Sequence, residues 1–455
     1  MNENTLGDYA MKMSVIGCGY LGAVHAAAMA ELGHEVVGID VDSVKINALS
    51  ASTPTFFEPG LGDVLTSANA SGRLRFSTEM SEVRGCRVHF IAVGTPQKQG
   101  STAADMTFVD SAIDSLIPYL TPGDLVVGKS TVPVGTAARI ASKLESSGTG
   151  AILAWNPEFL REGFAVQDTI QPDRLVYGVP DGPTGDQAKA MLDEVYATAL
   201  RNDTPVVVAD YATAELVKVA ANAFLATKIS FINAMAEIAE ATGADVTKLA
   251  DAIGHDNRIG RRFLNAGVGF GGGCLPKDIR AFSARADELG LGESVAFLKE
   301  VDSINLRRRQ RAVDMVAESL GGNVSGRRIA VLGLAFKPNS DDVRDSPALD
   351  VAVQLKGLGG NVICHDPEAM ANAQKKHPQL SFAANVTEAV SGADAIIVVT
   401  EWEEYRDLDP VAVFSLANGP VVIDGRNCLE PALWRAAGWE YRSMGRPDRA
   451  ISHIG

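Results

Sequence analysis

Cysteine is scarce in this chain and poorly placed for cross-linking. The five in 455 residues, Cys18, Cys86, Cys274, Cys364 and Cys428, are scattered, odd in number and form no C-x-x-C pair. That excludes a disulfide framework and predicts a reducing, cytoplasmic setting. The seven histidines show no ligand spacing, so no structural or catalytic zinc and no other metal is expected. No G-x-S-x-G nucleophile elbow occurs. Long apolar runs are missing too: Ala395-Ile396-Ile397-Val398-Val399 suits a buried strand and falls well short of a membrane span. Met1 to Ala10 is polar, with no signal-peptide core, and residues 1–12 read as a disordered extension. Cations are outnumbered, 41 Lys and Arg against 56 Asp and Glu for a net charge of -15. Neither nucleic acid nor an anionic membrane is therefore expected as a main partner.

What is present is the composition of a soluble globular protein, 46% hydrophobic and 21% charged. The length exceeds one ordinary core, so two or three domains are expected. Met13 to Ile16 is an apolar strand running into Gly17-Cys18-Gly19-Tyr20-Leu21-Gly22, then an Ala-rich helix to about Leu32, then a strand, Glu35 to Ile39, ending at Asp40. Strand, G-x-G-x-x-G, helix, strand, acid is the dinucleotide-binding fingerprint in its proper context. The glycines admit a pyrophosphate to the helix N-terminus. Asp40 can accept from both ribose hydroxyls and repels a 2′-phosphate, which favours NAD over NADP. Further strands at Val88–Val93, Leu125–Val127 and Ile152–Trp155 end in loops carrying Thr95, Thr131 and Glu158, so these three should gather around a ligand at the carboxyl edge of a doubly wound sheet.

From about Ala212 the pattern turns helical, with an Ala-rich segment to about Thr242 on which Lys218 and Asn222 lie one turn apart and share a face. On so apolar a helix, the amine and amide are read as projecting into a site. Gly269 to Asp278 then sets Cys274 between a flexible glycine loop and a helix start marked by Pro276. A positive helix end and Lys277 should both favour its thiolate. Beyond Gly321-Gly322, strands at Arg328–Leu334, Asn361–Cys364, Ala395–Val399 and Val421–Asp424 give a second α/β rhythm without G-x-G-x-x-G, with Lys337, Arg344 and Arg426 at strand ends where cations could meet phosphates. The expected fold is thus α/β: two Rossmann-like doubly wound domains joined by a long helical central domain. Its segments are a nucleotide-binding domain over 13–211, a central domain over 212–320 with dimerisation and the cysteine loop, and a second Rossmann-like domain over 321–455.

These landmarks, in this order, resemble the UDP-glucose/GDP-mannose dehydrogenase family from about Met13 to about Arg442. The markers are the Gly17–Gly22 turn, Lys129-Ser130-Thr131-Val132-Pro133, the Asn156 to Gly163 segment, Lys218 with Asn222, and Phe270 to Asp278. The resemblance implies a four-electron oxidation of a nucleotide sugar's primary alcohol to a carboxylate, by two hydride transfers to NAD without release of the aldehyde. Cys274 would be the nucleophile and Glu158 the base for the hydrolytic water, with Thr131 and Asp278 positioning it, and Lys218 and Asn222 would stabilise oxyanions. It places Asp40, Lys45, Thr95, Thr131, Glu162, Lys277 and Arg344 on NAD, beside Gly17, Gly19, Tyr20, Leu21 and Gly22 of the turn. It places Glu158, Phe159, Leu160, Lys218, Asn222, Phe263, Leu264, Asn265, Gly267, Gly271, Lys337 and Arg426 on the sugar nucleotide. Arg258 would reach in from a neighbouring subunit, implying a homodimer or larger assembly. UDP-glucose is the expected substrate; Leu275-Pro276 also looks like the GDP-mannose branch, and UDP-N-acetylmannosamine stays open. Two-electron hydroxyacid dehydrogenases share a Rossmann domain followed by a helical one with Lys and Asn one turn apart, but have no counterpart of the third segment or of Cys274. One NADH per substrate, instead of two, would mark that alternative. A silent NAD-sensing scaffold is disfavoured because every reactive position holds a competent residue.

Overall fold

A computed structural model describes residues 10–447. Most of the expected N-terminal extension lies outside the described residues. The chain divides into two compact units, one ending at Ala221 and the other beginning at Asn222.

The first unit is built on eight short strands: β1 (Lys12–Ile16), β2 (Glu35–Ile39), β3 (Leu74–Ser77), β4 (Val88–Ile91), β5 (Leu125–Gly128), β6 (Ile152–Trp155), β7 (Leu175–Gly178) and β8 (Val206–Ala209). Their order is β3-β2-β1-β4-β5-β6-β7-β8, parallel except where β7 meets β6. The first six positions are the doubly wound nucleotide-binding order. Strands β4, β5 and β6 are buried at every residue, which is why they read as continuous apolar runs. The Tyr20–Glu31 helix is buried from Gly22 to Ala30, so its small side chains serve close packing against the sheet. Strand β4 stops at Ile91, short of the expected Val93, where the chain leaves the ladder and Val93 packs over the Gly17 turn.

The second unit carries β9 (Arg328–Leu332), β10 (Asn361–His365), β11 (Ser381–Phe382), β12 (Ala395–Val398), β13 (Val421–Asp424) and β14 (Glu440–Ser443). All are parallel, in the order β11-β10-β9-β12-β13-β14. This is the same doubly wound order again, without the glycine fingerprint. Strand β9 ends at Leu332, two residues before expectation, because the N–H groups of Leu334 and Ala335 turn to the Asp366 carboxylate at 2.7 and 3.0 Å.

The Tyr211–Thr242 helix is long and apolar enough, by length and composition, to cross a membrane. Glu215, Lys218, Asn222, Ser230 and Asn233 on it are nevertheless buried and make hydrogen bonds within the protein. In the first unit Glu215 accepts from the N–H groups of Gly135 and Ala137 at 2.7 and 2.6 Å. In the second, Ser230 donates to Val301 O at 2.7 Å and Asn233 accepts from Gly267 N–H at 2.9 Å. Bonds of this kind are those of a core helix.

Candidate active site

In the first unit the fingerprint turn is shaped by what cannot be added to it. Gly17 has φ +92°, and a Cβ there would lie 2.7 Å from Val93. At Gly22 a Cβ would fall 1.7 Å from Gly17 O, so only glycine lets the helix close on the turn. At Gly19 a Cβ would meet nothing within 4 Å, which marks space over the turn. The helix begins at Tyr20 with no side-chain cap, presenting first-turn N–H groups and the positive end of its dipole. Asp40 accepts from Cys18 N–H and Lys45 Nζ, both at 2.8 Å. Burial opposes its ionisation, but the bonds from Lys45, Asp42 N–H and Cys18 N–H outweigh that and hold the carboxyl below its usual range. An open turn, bare N–H groups and a fixed carboxylate fit NAD.

Beyond the turn, Tyr20 donates its hydroxyl to Glu58. Burial, then the Glu58 bond and the charges of Glu58 and Glu162, raise that phenol far above its usual range. Glu58 also accepts from Gly163 and Ala165 N–H at 2.6 and 2.7 Å, tying the loop that carries Glu162 to the fingerprint helix. Leu21 and Leu160 line one cavity with Glu158 and Phe159. Thr95 and Thr131 meet, the hydroxyl of Thr95 donating to Thr131 O at 2.8 Å. Glu158 instead takes Lys218 Nζ at 3.1 Å and Leu160 N–H at 2.6 Å. Lys218 also lies 5.6 Å from the centroid of the Phe159 ring, and it is 5% exposed.

In the second unit Cys274 is exposed and stands at the N-cap of the Leu275–Glu288 helix, with Pro276 in the first turn. Asp278, one turn on, is 2% exposed. It is held by Asn222 Nδ2 at 2.7 Å and Lys277 Nζ at 3.1 Å. The amine and amide read as a pair on one helix face thus each receive a carboxylate of their own. The glycine loop before Cys274 is closely packed: Gly272 N–H donates to Arg344 O at 2.9 Å, and a Cβ at Gly271 or Gly273 would strike Asp345 O at 2.3 Å or the Arg344 guanidinium at 2.3 Å. Asn305 clasps Phe270, accepting its N–H at 2.7 Å and donating to its O at 2.9 Å.

The remaining expected substrate residues scatter more widely within this unit. Arg426 donates to Val399 O, Gly269 O and Phe336 O at 2.9, 2.8 and 3.1 Å, so it ties strand ends to the cysteine loop. Gly267 packs against Gly425 O, which a Cβ would approach to 2.6 Å. Lys337 Nζ lies 5.2 Å from the Phe336 ring, and Arg344 forks onto Asp342 at 2.9 and 2.6 Å. Leu264 is buried, Phe263 is partly exposed with φ +66°, and Asn265 accepts from Arg261 at 2.8 Å. Arg258 has 88% of its side chain exposed and pairs with Asp256, apart from the cysteine loop's contacts.

Three residues to which sequence reading gave no role hold this scaffold: Lys129, Glu58 and Asn305. Lys129 had a visible signal, a cation directly after an apolar strand. Glu58 had none, because its partners lie 105 and 107 residues away. The second sheet differs from the first just past β10. Asp366, the counterpart of Asp40 by position, is 0% exposed and saturated by N–H groups of Leu334, Ala335, Glu368 and Ala369 and by Trp402 Nε1. It has no lone pair left for a ribose, so the second sheet does not read a nucleotide as the first does.

Comparison with known proteins covers nearly the whole chain. The UDP-glucose/GDP-mannose dehydrogenase family matches with its NAD binding domain at residues 11–200, its central domain at 212–307 and its UDP binding domain at 330–431. A UDP-glucose 6-dehydrogenase of Rhizobium meliloti (strain 1021) is 42% identical over 96% of this chain and 100% of its own length. UDP-glucose 6-dehydrogenase TuaD of Bacillus subtilis (strain 168) is 41% identical over 96% of this chain and 93% of its own. Among solved structures, a UDP-glucose dehydrogenase from the hyperthermophilic archaeon Pyrobaculum islandicum aligns with TM-score 0.87 at 38% identity, covering 97% of this chain and 99% of that one. With a glycine turn and acid suited to NAD at one end, an exposed thiol at a helix N-cap position in the middle and a second doubly wound sheet after it, the chain belongs to the UDP-glucose/GDP-mannose dehydrogenase family.

Proposed function

We propose that this protein oxidises UDP-glucose to UDP-glucuronate, consuming two NAD and one water per sugar. The observation that carries the reading is Cys274, exposed at the N-cap of a helix whose first-turn Asp278 is fixed by Asn222 and Lys277. A dehydrogenase that stopped at the aldehyde would have no use for such a thiol. NAD, when bound at the Gly17–Gly22 turn, accepts the hydride in each oxidation. Cys274 attacks the aldehyde carbon to form a thiohemiacetal, whose carbon again carries a transferable hydrogen, and the second oxidation leaves a thioester. Water releases the acid with Glu158 as base and Thr131 and Asp278 as orienting groups. Lys218 and Asn222 donate to the oxyanion of each tetrahedral stage, a role worth roughly 3–4 kcal/mol for one good donor.

The domain assignment proposed is NAD binding over 13–211, a central helical domain over 212–320 and a UDP-sugar-binding domain over 321–455. The remaining residues named for NAD and for the sugar nucleotide keep those assignments, with Arg258 given across a subunit boundary. A cytoplasmic homodimer or larger homo-oligomer is proposed. Support for self-association comes from the central helix, where Phe224, Phe231 and Ile238 repeat every seventh residue and are 67%, 49% and 54% exposed.

The test is NADH formation with purified UDP-glucose, GDP-mannose and UDP-N-acetylmannosamine in turn. Two NADH per UDP-glucose is expected, with the other sugars slower. One NADH per sugar would replace the reading with a two-electron oxidation, and a faster rate with another sugar would replace the substrate. Cys274→Ser should lower acid formation by at least about 100-fold, since a hydroxyl is a far weaker nucleophile here; an undiminished rate would remove the covalent route.

A further inference from the structure

Lys129 has no part in the roles assigned so far. It lies just past β5, is 7% exposed, and its Nζ donates to Asn156 Oδ1 at 3.0 Å. The Phe90 and Tyr196 ring centroids lie 5.9 and 5.7 Å from the same nitrogen. Asn156 is fixed in turn: it donates to Val176 O at 2.9 Å and accepts from the Tyr196 hydroxyl at 2.6 Å. A buried ammonium whose bonded partner is an amide is costly, and a Met of similar length would fill the space at less cost. Asn156 begins the loop that presents Glu158 two residues later. Lys129 and Glu158 also line a common cavity with about 40 Å³ of room, together with His25 and Tyr196, and the Glu158 charge stabilises the ammonium. That room admits water, and His25 Nε2 is buried there with no hydrogen-bond partner among the described residues.

We propose that Lys129 is a positioning residue for Glu158, its buried ammonium fixing the Asn156–Glu158 loop from behind while Lys218 holds the carboxylate at 3.1 Å. This rests on the reading of Glu158 as the base for thioester hydrolysis. Burial pushes the Lys129 amine down to about 8, against the attraction of Glu158 and with added repulsion from Lys218. The hold on the loop therefore weakens as pH passes 8. The other titratable groups on the cavity do not share that proton. His25 is driven well below its usual value, first by burial and then by the charge of Lys129, and stays neutral. Tyr196 is driven well above its own by burial and stays a phenol. The further charges facing Glu158 are Arg174, stacked 3.8 Å over Phe159, with Asp173 beside it on the cavity wall and Asp168 paired to Arg161 at 2.6 Å.

The experiment measures kcat and KM of the full-length enzyme with UDP-glucose and NAD from pH 6.5 to 9.5, and traps acyl-enzyme on Cys274 for mass spectrometry. In the parent, hydrolysis should slow above pH 8. Lys129→Gln keeps a donor for Asn156 without the charge. It should lower kcat roughly 10- to 100-fold at neutral pH, leave KM for the sugar within about twofold, accumulate acyl-enzyme and abolish the alkaline decline. Lys129→Arg, which keeps its charge, should move the decline upward. Parental kcat in Lys129→Gln, or an identical alkaline decline in both variants, overturns the proposal. If neither variant folds, acyl-enzyme hydrolysis in the parent that is flat from pH 7 to 9.5 overturns it as well. Glu158→Gln separates the two readings: full hydrolysis there sinks the role of Glu158 and this proposal with it. A dead Glu158→Gln beside an unaffected Lys129→Gln sinks this proposal alone.

Discussion

A single proton on Lys129 acts with opposite sign on fold and function. In the unfolded chain the amine ionises near its ordinary 10.5, whereas in the native protein burial brings it to about 8. Between those values the unfolded state binds more protons, so native stability rises with pH across the window from 8 to 10.5. Below pH 8 the native protein carries the full penalty of a charged, buried amine, with a ceiling of about 3 kcal/mol from the gap between the two values. Urea unfolding of Lys129→Met should therefore show a variant at least as stable as the parent at pH 7, with the difference shrinking toward pH 10. A difference independent of pH would mean that the native amine titrates normally. The catalytic expectation runs the other way, because losing the same proton loosens Glu158. At this scale the sequence disclosed Cys274, Asp40, Lys218 and Asn222, whose chemistry is announced by neighbours in the chain. It gave no role to Lys129, Glu58 or Asn305, whose partners are brought in by the fold.

Two short helices of the first unit show how an element can depend on a residue far away in sequence. The Thr136–Ser146 helix follows Gly135, which has no side chain to cap it. The Ala165–Ile170 helix follows Phe164, which provides no cap either. Each receives a buried glutamate instead: Glu215 takes the N–H groups of Gly135 and Ala137, and Glu58 takes those of Gly163 and Ala165. An anion on a helix N-terminus satisfies donors and opposes the macrodipole. Glu215→Ala should cost roughly 1–3 kcal/mol in chemical denaturation, since the buried Ala137 N–H and the part-buried Gly135 N–H lose a charged acceptor together; a loss below about 0.5 kcal/mol would show that water replaces it. The same distance dependence explains strand ends. The apolar runs were readable from sequence, but β9 stops where Asp366 captures Leu334 and Ala335. Strands β3, β11 and β14 are short or partly polar and had no apolar run to announce them, whereas β7 and β8 carry runs as long as that of β6 yet are not among the expected strands.

Across the whole molecule, one strand order occurs twice with different use of the acid at the end of its second strand. Asp40 keeps 10% of its side chain exposed at a turn open to a ligand, whereas Asp366 is consumed by its own loop. The proposed homo-oligomer is tested at this scale as well. Phe231→Glu should shift sedimentation toward monomer if the apolar repeat on the central helix meets a second copy; an unchanged species would exclude that face. The sequence by itself determined the α/β architecture, the NAD fingerprint and the thiol at a helix start, because strand periodicity, glycine conformations and a proline in a helix's first turn are local properties written within a few residues. Only the tertiary structure decided which carboxylate each buried cation and amide receives, which glutamates cap which helices, and which nucleotide-style acid is already spent. Those outcomes depend on groups that the chain separates by scores of residues and that folding alone brings within hydrogen-bond reach.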